Sequence, residues 1–189
     1  MRREFFGVTD AFAVLGLSRR PWVDAEEIQS RHRELAVQSG RDGAGMPLSH
    51  LNEARRIMEG HGSRLRHLAA LEFPDADAGG KYEPDWKLFE SVGTLSRLAG
   101  LWAGRLGGAG SAIARAALMS EACQLRERLR EVRVPIEEMS SRLDESVRSL
   151  DRRWPDVTPA ELFSVAEEWT YWQRWEARTR EVAALLDGA

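Results

Sequence analysis

Between Leu118 and Leu150 the chain places Leu118, Ala122, Leu125, Leu129, Val132, Ile136, Met139, Leu143, Val147 and Leu150 at steps of three and four residues. Such steps bracket the 3.6-residue helical turn, so they hold an apolar seam on one side of a single long helix. A seam of that length must be covered by other helices, either of the same chain or of a second copy. Pro135 falls inside it and predicts a kink, not an end. Elsewhere the alternating β-branched runs of strands are missing and helical spacing dominates. The expected fold is therefore all-α.

Two flanking helices offer partners for the seam. Pro84 opens a stretch with Trp86, Phe89, Val92, Leu95, Leu98 and Trp102 at helical steps, and GGAGS at 107–111 interrupts it. Beyond the seam, Thr158, Pro159 and Glu161 form a T-x-x-E start signal. The last helix carries Leu162, Val165, Trp169, Trp172, Val182 and Leu186. Residues 84–189 thus predict a three-helix bundle with a long, kinked central helix, the seam forming its core; a homodimer seam is the alternative. The Pro-, Gly- and Asp-rich FPDADAGGKYEPD reads as an inter-domain linker, giving residues 1–73, a linker at 74–83, and 84–189.

The first 73 residues are patterned differently. DAFAVLGL has Thr9 or Asp10 as a cap and Gly16 as a stop. In PWVDAEEIQSRHRELAVQ, Asp24 and Glu27 form a D-x-x-E cap, and Val23 with Ile28 suits a hydrophobic staple. Ile28, His32, Leu35 and Ala36 mark its inner face. After QSGRDGAG, Pro47 opens a helix with Leu51, Ala54 and Met58 inside, which Gly60 and Gly62 should end. SRLRHLAALE then adds a short helix lined by Leu65, Leu68 and Leu71. The centre of this unit is predicted to be an antiparallel hairpin of helices near 24–38 and 47–59.

This order resembles a J domain, the helical module of DnaJ-type co-chaperones. His32-Arg33-Glu34-Leu35-Ala36-Val37 stands where that family has Tyr-Arg-Lys-Leu-Ala-Leu, and Asn52-Glu53-Ala54 matches its Asn-Glu-Ala. RRPW and SRLRHLAALE are similar to segments of the HscB-type branch. The resemblance implies a J-like module over about residues 5–73, a DnaK-type chaperone as partner, and a bundle that holds a protein client. The family's His-Pro-Asp tripeptide falls on Gly40, Arg41 and Asp42, so only the acid is kept. His32 and Arg55 replace the family's core tyrosines. The partner-binding candidates are Arg31, Arg33, Gly40, Arg41 and Asp42. A plain connector accounts for the same stretch, with Gly40, Gly43 and Gly45 supplying positive φ. Loss of His-Pro implies a non-enzymatic adaptor or regulator that binds protein without stimulating the ATPase. The alternatives are an active co-chaperone with altered loop chemistry and a structural helical homodimer.

Composition narrows the remaining classes. A net charge of −3 gives no pull toward nucleic acid or anionic lipid, although all but Lys81 and Lys87 of the 27 basic residues are arginine. No apolar run reaches a membrane span, Glu4 and Asp10 break the only signal-like start, and the one cysteine, Cys123, fits a reducing cytoplasm. The histidines have no metal spacing, GGAGS lacks the strand and G-K-[ST] of a phosphate loop, and no cofactor is expected. Cys123 reads as a small packed residue. Gly100 and Gly104 should allow close helix packing, and within Trp169, Tyr171, Trp172 and Trp175 at least one ring should reach the surface or a partner. The expected state is a monomer or weak homodimer.

Overall fold

The computed structural model describes residues 9–42, 46–76 and 82–188, except for the side chains of Arg41 and Asp42. Residues 1–8, Gly43 and Gly45 of the connector, and residues 77–81 of the expected linker lie outside the described residues. The described chain is all-helical, with no strand among those residues: α1 (Ala11–Leu15), α2 (Ala25–Asp42), α3 (Leu48–Glu59), α4 (His61–Glu72), α5 (Trp86–Gly107), α6 (Ala112–Arg153) and α7 (Pro159–Asp187).

The starts and stops have identifiable chemical causes. Asp10 accepts from the N–H groups of Phe12 and Ala13, and Gly16 ends α1 at φ 66°. The remaining N–H of that first turn, on Ala11, donates to His67 Nε2 at 2.9 Å. The N–H groups of the first three helical residues of α1 are thereby each satisfied by a named acceptor. Asp24 caps α2 by accepting from Glu26 N–H at 2.8 Å, and Val23 and Ile28 are both buried. At α7 the capping box closes both ways, Thr158 N–H donating to Glu161 at 2.8 Å and Glu161 N–H to Thr158 Oγ1 at 3.3 Å. The Thr158 N–H and hydroxyl, with the Arg153 guanidinium, take the Glu161 carboxyl down to about 2.

Several boundaries differ from expectation. α2 continues to Asp42, so the first five residues of QSGRDGAG are helical. Gly60 ends α3 and also caps α4, which starts at His61; Gly62 is a buried residue inside α4 and not a stop. Pro135 leaves α6 continuous from 112 to 153. On α5 the buried residues are Leu88, Val92, Leu95, Ala99 and Trp102, whereas Trp86 and Phe89 are 68% and 51% exposed. The expected stripe began as successive three-residue steps, each slipping about 60° around the helix, so its start left the core side. Four-three alternation cancels that slip. On α7 the buried set is Leu162, Ala166, Trp169, Trp175, Thr179, Val182 and Leu186, with Trp172 half-buried instead of inside.

The chain divides into two compact units, residues 1–82 with 144–169 and residues 83–143 with 170–189, which are not two contiguous stretches. In the first, α1 and α2 pack on α3, and α4 follows against α3. The α2–α3 pair is antiparallel: Ser39 reaches Met46 O at 2.8 Å while His32 meets Asn52 at 2.9 Å, further from the corner. The same unit includes the end of α6 and the start of α7, where Val147, Leu150, Leu162 and Ala166 are buried. α6 and α7 are longer than α5, and their extra turns keep apolar faces that need cover.

In the second unit α5, α6 and α7 share one core. Leu95, Ala99 and Trp102 meet Leu118, Ala122, Leu125 and Leu129 together with Val182 and Leu186. The fully buried Trp102 indole donates to Leu118 O at 2.7 Å, so its polar atom is satisfied. The heptad residues Leu125 and Leu129 are therefore intrachain core. Leu129→Ala should cost about 2–5 kcal/mol by lost burial plus the cavity left behind; urea unfolding followed by circular dichroism measures it.

Candidate functional site

The five residues expected to touch a partner lie on or at the end of α2. Arg31 is half-exposed and pairs with Glu34 at 3.4 Å, and Arg33 donates to its own helix at Gln29 O, 3.3 Å away. At about 100° per residue, Arg31 and Arg33 leave opposite flanks of α2, so they do not form one patch. Arg33 and Gly40, seven residues apart, share a flank. Gly40, Arg41 and Asp42 complete the last turn of α2. The positive φ expected for Gly40 is not found: among the described glycines only Gly16 has one, and a Cβ at Gly40 would meet nothing within 4 Å. Helix propagation accounts for this, since each residue fixed there gains a backbone bond. His32, expected on the inner face of α2, is buried there, and its ring N–H donates to Asn52 Oδ1, which joins α2 to α3.

The most organised polar cluster in this unit was not anticipated from the sequence. Arg64 on α4 is 1% exposed. Its Nε donates to Pro21 O at 3.0 Å, one terminal nitrogen to Met58 O at 2.6 Å, and the other to His61 Nδ1 at 2.7 Å. Burial pulls the guanidinium down to about 10, with Asp151 acting in the opposite sense, so it stays charged at neutral pH. His61 stacks on Trp169 at 4.6 Å and lies against Trp22 at 5.3 Å. Burial, then Arg64, then Arg148, hold its pKa near 4, so the ring is neutral and its Nδ1 free to accept.

Every residue of RRPW is engaged with this cluster or beside it. Arg19 bridges Asp10 at 2.7 Å and Glu72 at 2.9 Å. Arg20 grips Asp151 with two nitrogens, one at 2.8 Å, and the Trp22 N–H donates to the same carboxylate at 3.1 Å. Arg148 lies 3.8 Å above the Trp22 ring. Burial acts upward on Asp151, but Arg20 and the Trp22 N–H carry it below its ordinary 3.8. The sequence signal was Arg64 itself, one residue before Leu65 and four before Leu68, on the face that those leucines bury.

Chemistry elsewhere is sparse. Among the described residues no three His, Cys, Asp or Glu side chains gather in a group that would hold a metal ion. Cys123 is exposed, not packed: its neighbour Ala122 takes the core position, and about 100° of helix turns Cys123 away. Of the aromatic cluster, Trp169 and Trp175 are buried, while Tyr171 and Trp172 are half-buried, the Trp172 indole donating to Ile136 O at 2.8 Å. No described helix is long and apolar enough to cross a membrane.

Two outcomes follow from this geometry. Gly40→Ala should stabilise the chain by about 0.5–1 kcal/mol, because the site is helical, open and without positive φ; thermal melting reads the change. The second concerns pH. His61 is about 4 in the folded chain and 6.5 in the unfolded one, so below pH 6.5 the unfolded chain binds the extra proton. The contribution is complete above pH 6.5 and is lost as pH falls toward 4, about 1–2 kcal/mol between pH 7 and 5. His67, also lowered mainly by burial, acts in the same direction. Asp151 and Glu161 are lowered from 3.8 and 4.5 in the folded chain, so their own contributions fall away below pH 5, under the range compared. Urea titrations of His61→Gln at pH 7 and 5 should show a smaller loss than the parent.

Neither protein-family models, nor curated proteins, nor solved structures gave a match to this chain.

Proposed function

We propose that this chain is a non-catalytic, J-domain-like adaptor that binds protein partners and does not stimulate a DnaK-type ATPase. The observation that carries the reading is the order α1 to α4 around an antiparallel α2–α3 pair, with Gly40-Arg41-Asp42 at the tripeptide position that ends α2. Stimulation in that family depends on a histidine and a proline at the first two places. Glycine offers no side chain there, and arginine replaces a rigid ring by a flexible cation. The exposed flanks of α2 present Arg31 and Arg33 for a partner, and the three-helix unit is the proposed holder of a protein client. Cys123, a lone thiol, supports a reducing cytoplasm as the setting.

The test is single-turnover ATP hydrolysis by the DnaK-type chaperone of the same cell, with the parent chain, Asp42→Ala and Gly40→His/Arg41→Pro. The expected result is the basal rate with the parent and Asp42→Ala, and little recovery in the double variant. Clear stimulation by the parent that disappears in Asp42→Ala would establish an active co-chaperone instead.

A further inference from the structure

The close helix packing expected of Gly100 and Gly104 does not occur among the described residues: a Cβ at either, or at Gly93, would meet nothing within 4 Å. None of the three has a positive φ. Each weakens the interior of α5 relative to alanine without a conformational reason. They lie on the side of α5 turned away from Leu88, Val92, Leu95, Ala99 and Trp102. The same outward side carries Trp86, 68% exposed, and Leu101, 59% exposed, with half-exposed Phe89 packed edge-on against Trp86 at 5.7 Å. Glu90 and Arg97 stand between them, both exposed and without an ion pair among the described residues.

We propose that this face of α5 binds a second copy of the chain, α5 against α5, antiparallel about a two-fold axis beside Gly93. The arrangement of charge selects that occupant. Turning the helix over about a point between Gly93 and Thr94 places Glu90 of one copy on Arg97 of the second, and the reverse, so one face supplies both halves of two ion pairs. The same operation sets Trp86 on Leu101. A two-fold interface requires such self-complementarity. Parallel pairing in register would set Glu90 on Glu90 and Arg97 on Arg97, which like-charge repulsion disfavours. At the crossing Gly93 has no side chain, so the axes approach to the near end of the usual range of about 8–10 Å. The paired segment, 86–101, is about 24 Å long, smaller than a standard interface. The association is correspondingly weak, and it stands independently of the adaptor reading.

Sedimentation velocity of the full chain over roughly 10 µM to 1 mM tests this. The expected result is a concentration-dependent monomer–dimer equilibrium in the parent. Glu90→Arg alone and Arg97→Glu alone should each weaken it by about tenfold or more, because each variant meets itself with like charges. An equimolar mixture of the two should restore dimer, as a heterodimer with both pairs re-formed. Gly93→Leu should also abolish it by holding the helices apart. All three sites are exposed, so melting temperature and circular dichroism serve as folding controls. A parent that stays monomeric throughout, a dimer that survives both reversals, or a mixture that remains monomeric would overturn the proposal.

Discussion

Arg64 keeps a full charge in a site that is 1% exposed, and the first unit is arranged around that requirement. Burying an ion is strongly unfavourable unless its donors are satisfied and some opposing charge lies near. Two donors go to main-chain carbonyls, Pro21 and Met58, which belong to the entry into α2 and the exit from α3. A third goes to His61, which must stay neutral to accept it. The opposing charge is Asp151, itself fixed by Arg20 and by the Trp22 backbone. One guanidinium thus ties together the α3–α4 corner and the path of RRPW, and adds to the burial that keeps a histidine neutral. An apolar side chain of similar size would leave both carbonyls without a partner, the more costly half of losing a hydrogen bond.

The all-α class was legible because a strong local period announces itself, and the seam from Leu118 to Leu150 is strong. The capping signals at Gly16, Asp24 and Thr158 were legible for a similar reason, with Asp10 one of two residues offered for α1: they use residues within three positions of the helix end. Trp86 and Phe89 were misplaced because their size suggested core, while the four-three phase of Leu88, Val92 and Leu95 decided the face. Arg64 was invisible to the same reasoning, since charged residues are ordinarily assigned to the surface. Its partners, from Pro21 to Asp151, are far apart in the chain, and no local pattern connects them. That the end of α6 and the start of α7 group with the N-terminal helices was not legible either, again because that grouping is nonlocal.

The extension of α2 to Asp42 changes how the proposed adaptor would present its acid. A helix end fixes the backbone of Gly40, Arg41 and Asp42, where a connector would leave it free, so less ordering is required when a partner docks. On the proposed reading, the lost function then lies in the missing histidine and proline side chains more than in backbone freedom. Arg31 and Arg33, on opposite flanks, would meet different parts of a partner, or only one of them would meet it at all.

The ion pair between Arg20 and Asp151 joins residues 131 positions apart in the chain. At about 5–20 residues per second, the ribosome needs on the order of ten seconds to travel that distance. Throughout that interval the nascent N-terminal helices exist without Asp151, Arg148 and Trp169, so Trp22 and His61 lack the surfaces that cover them in the finished unit. Closing so long a loop adds only a modest entropic term, growing as the logarithm of its length. The consequence is one of timing: the N-terminal helices of this protein are made well before the residues that complete their unit.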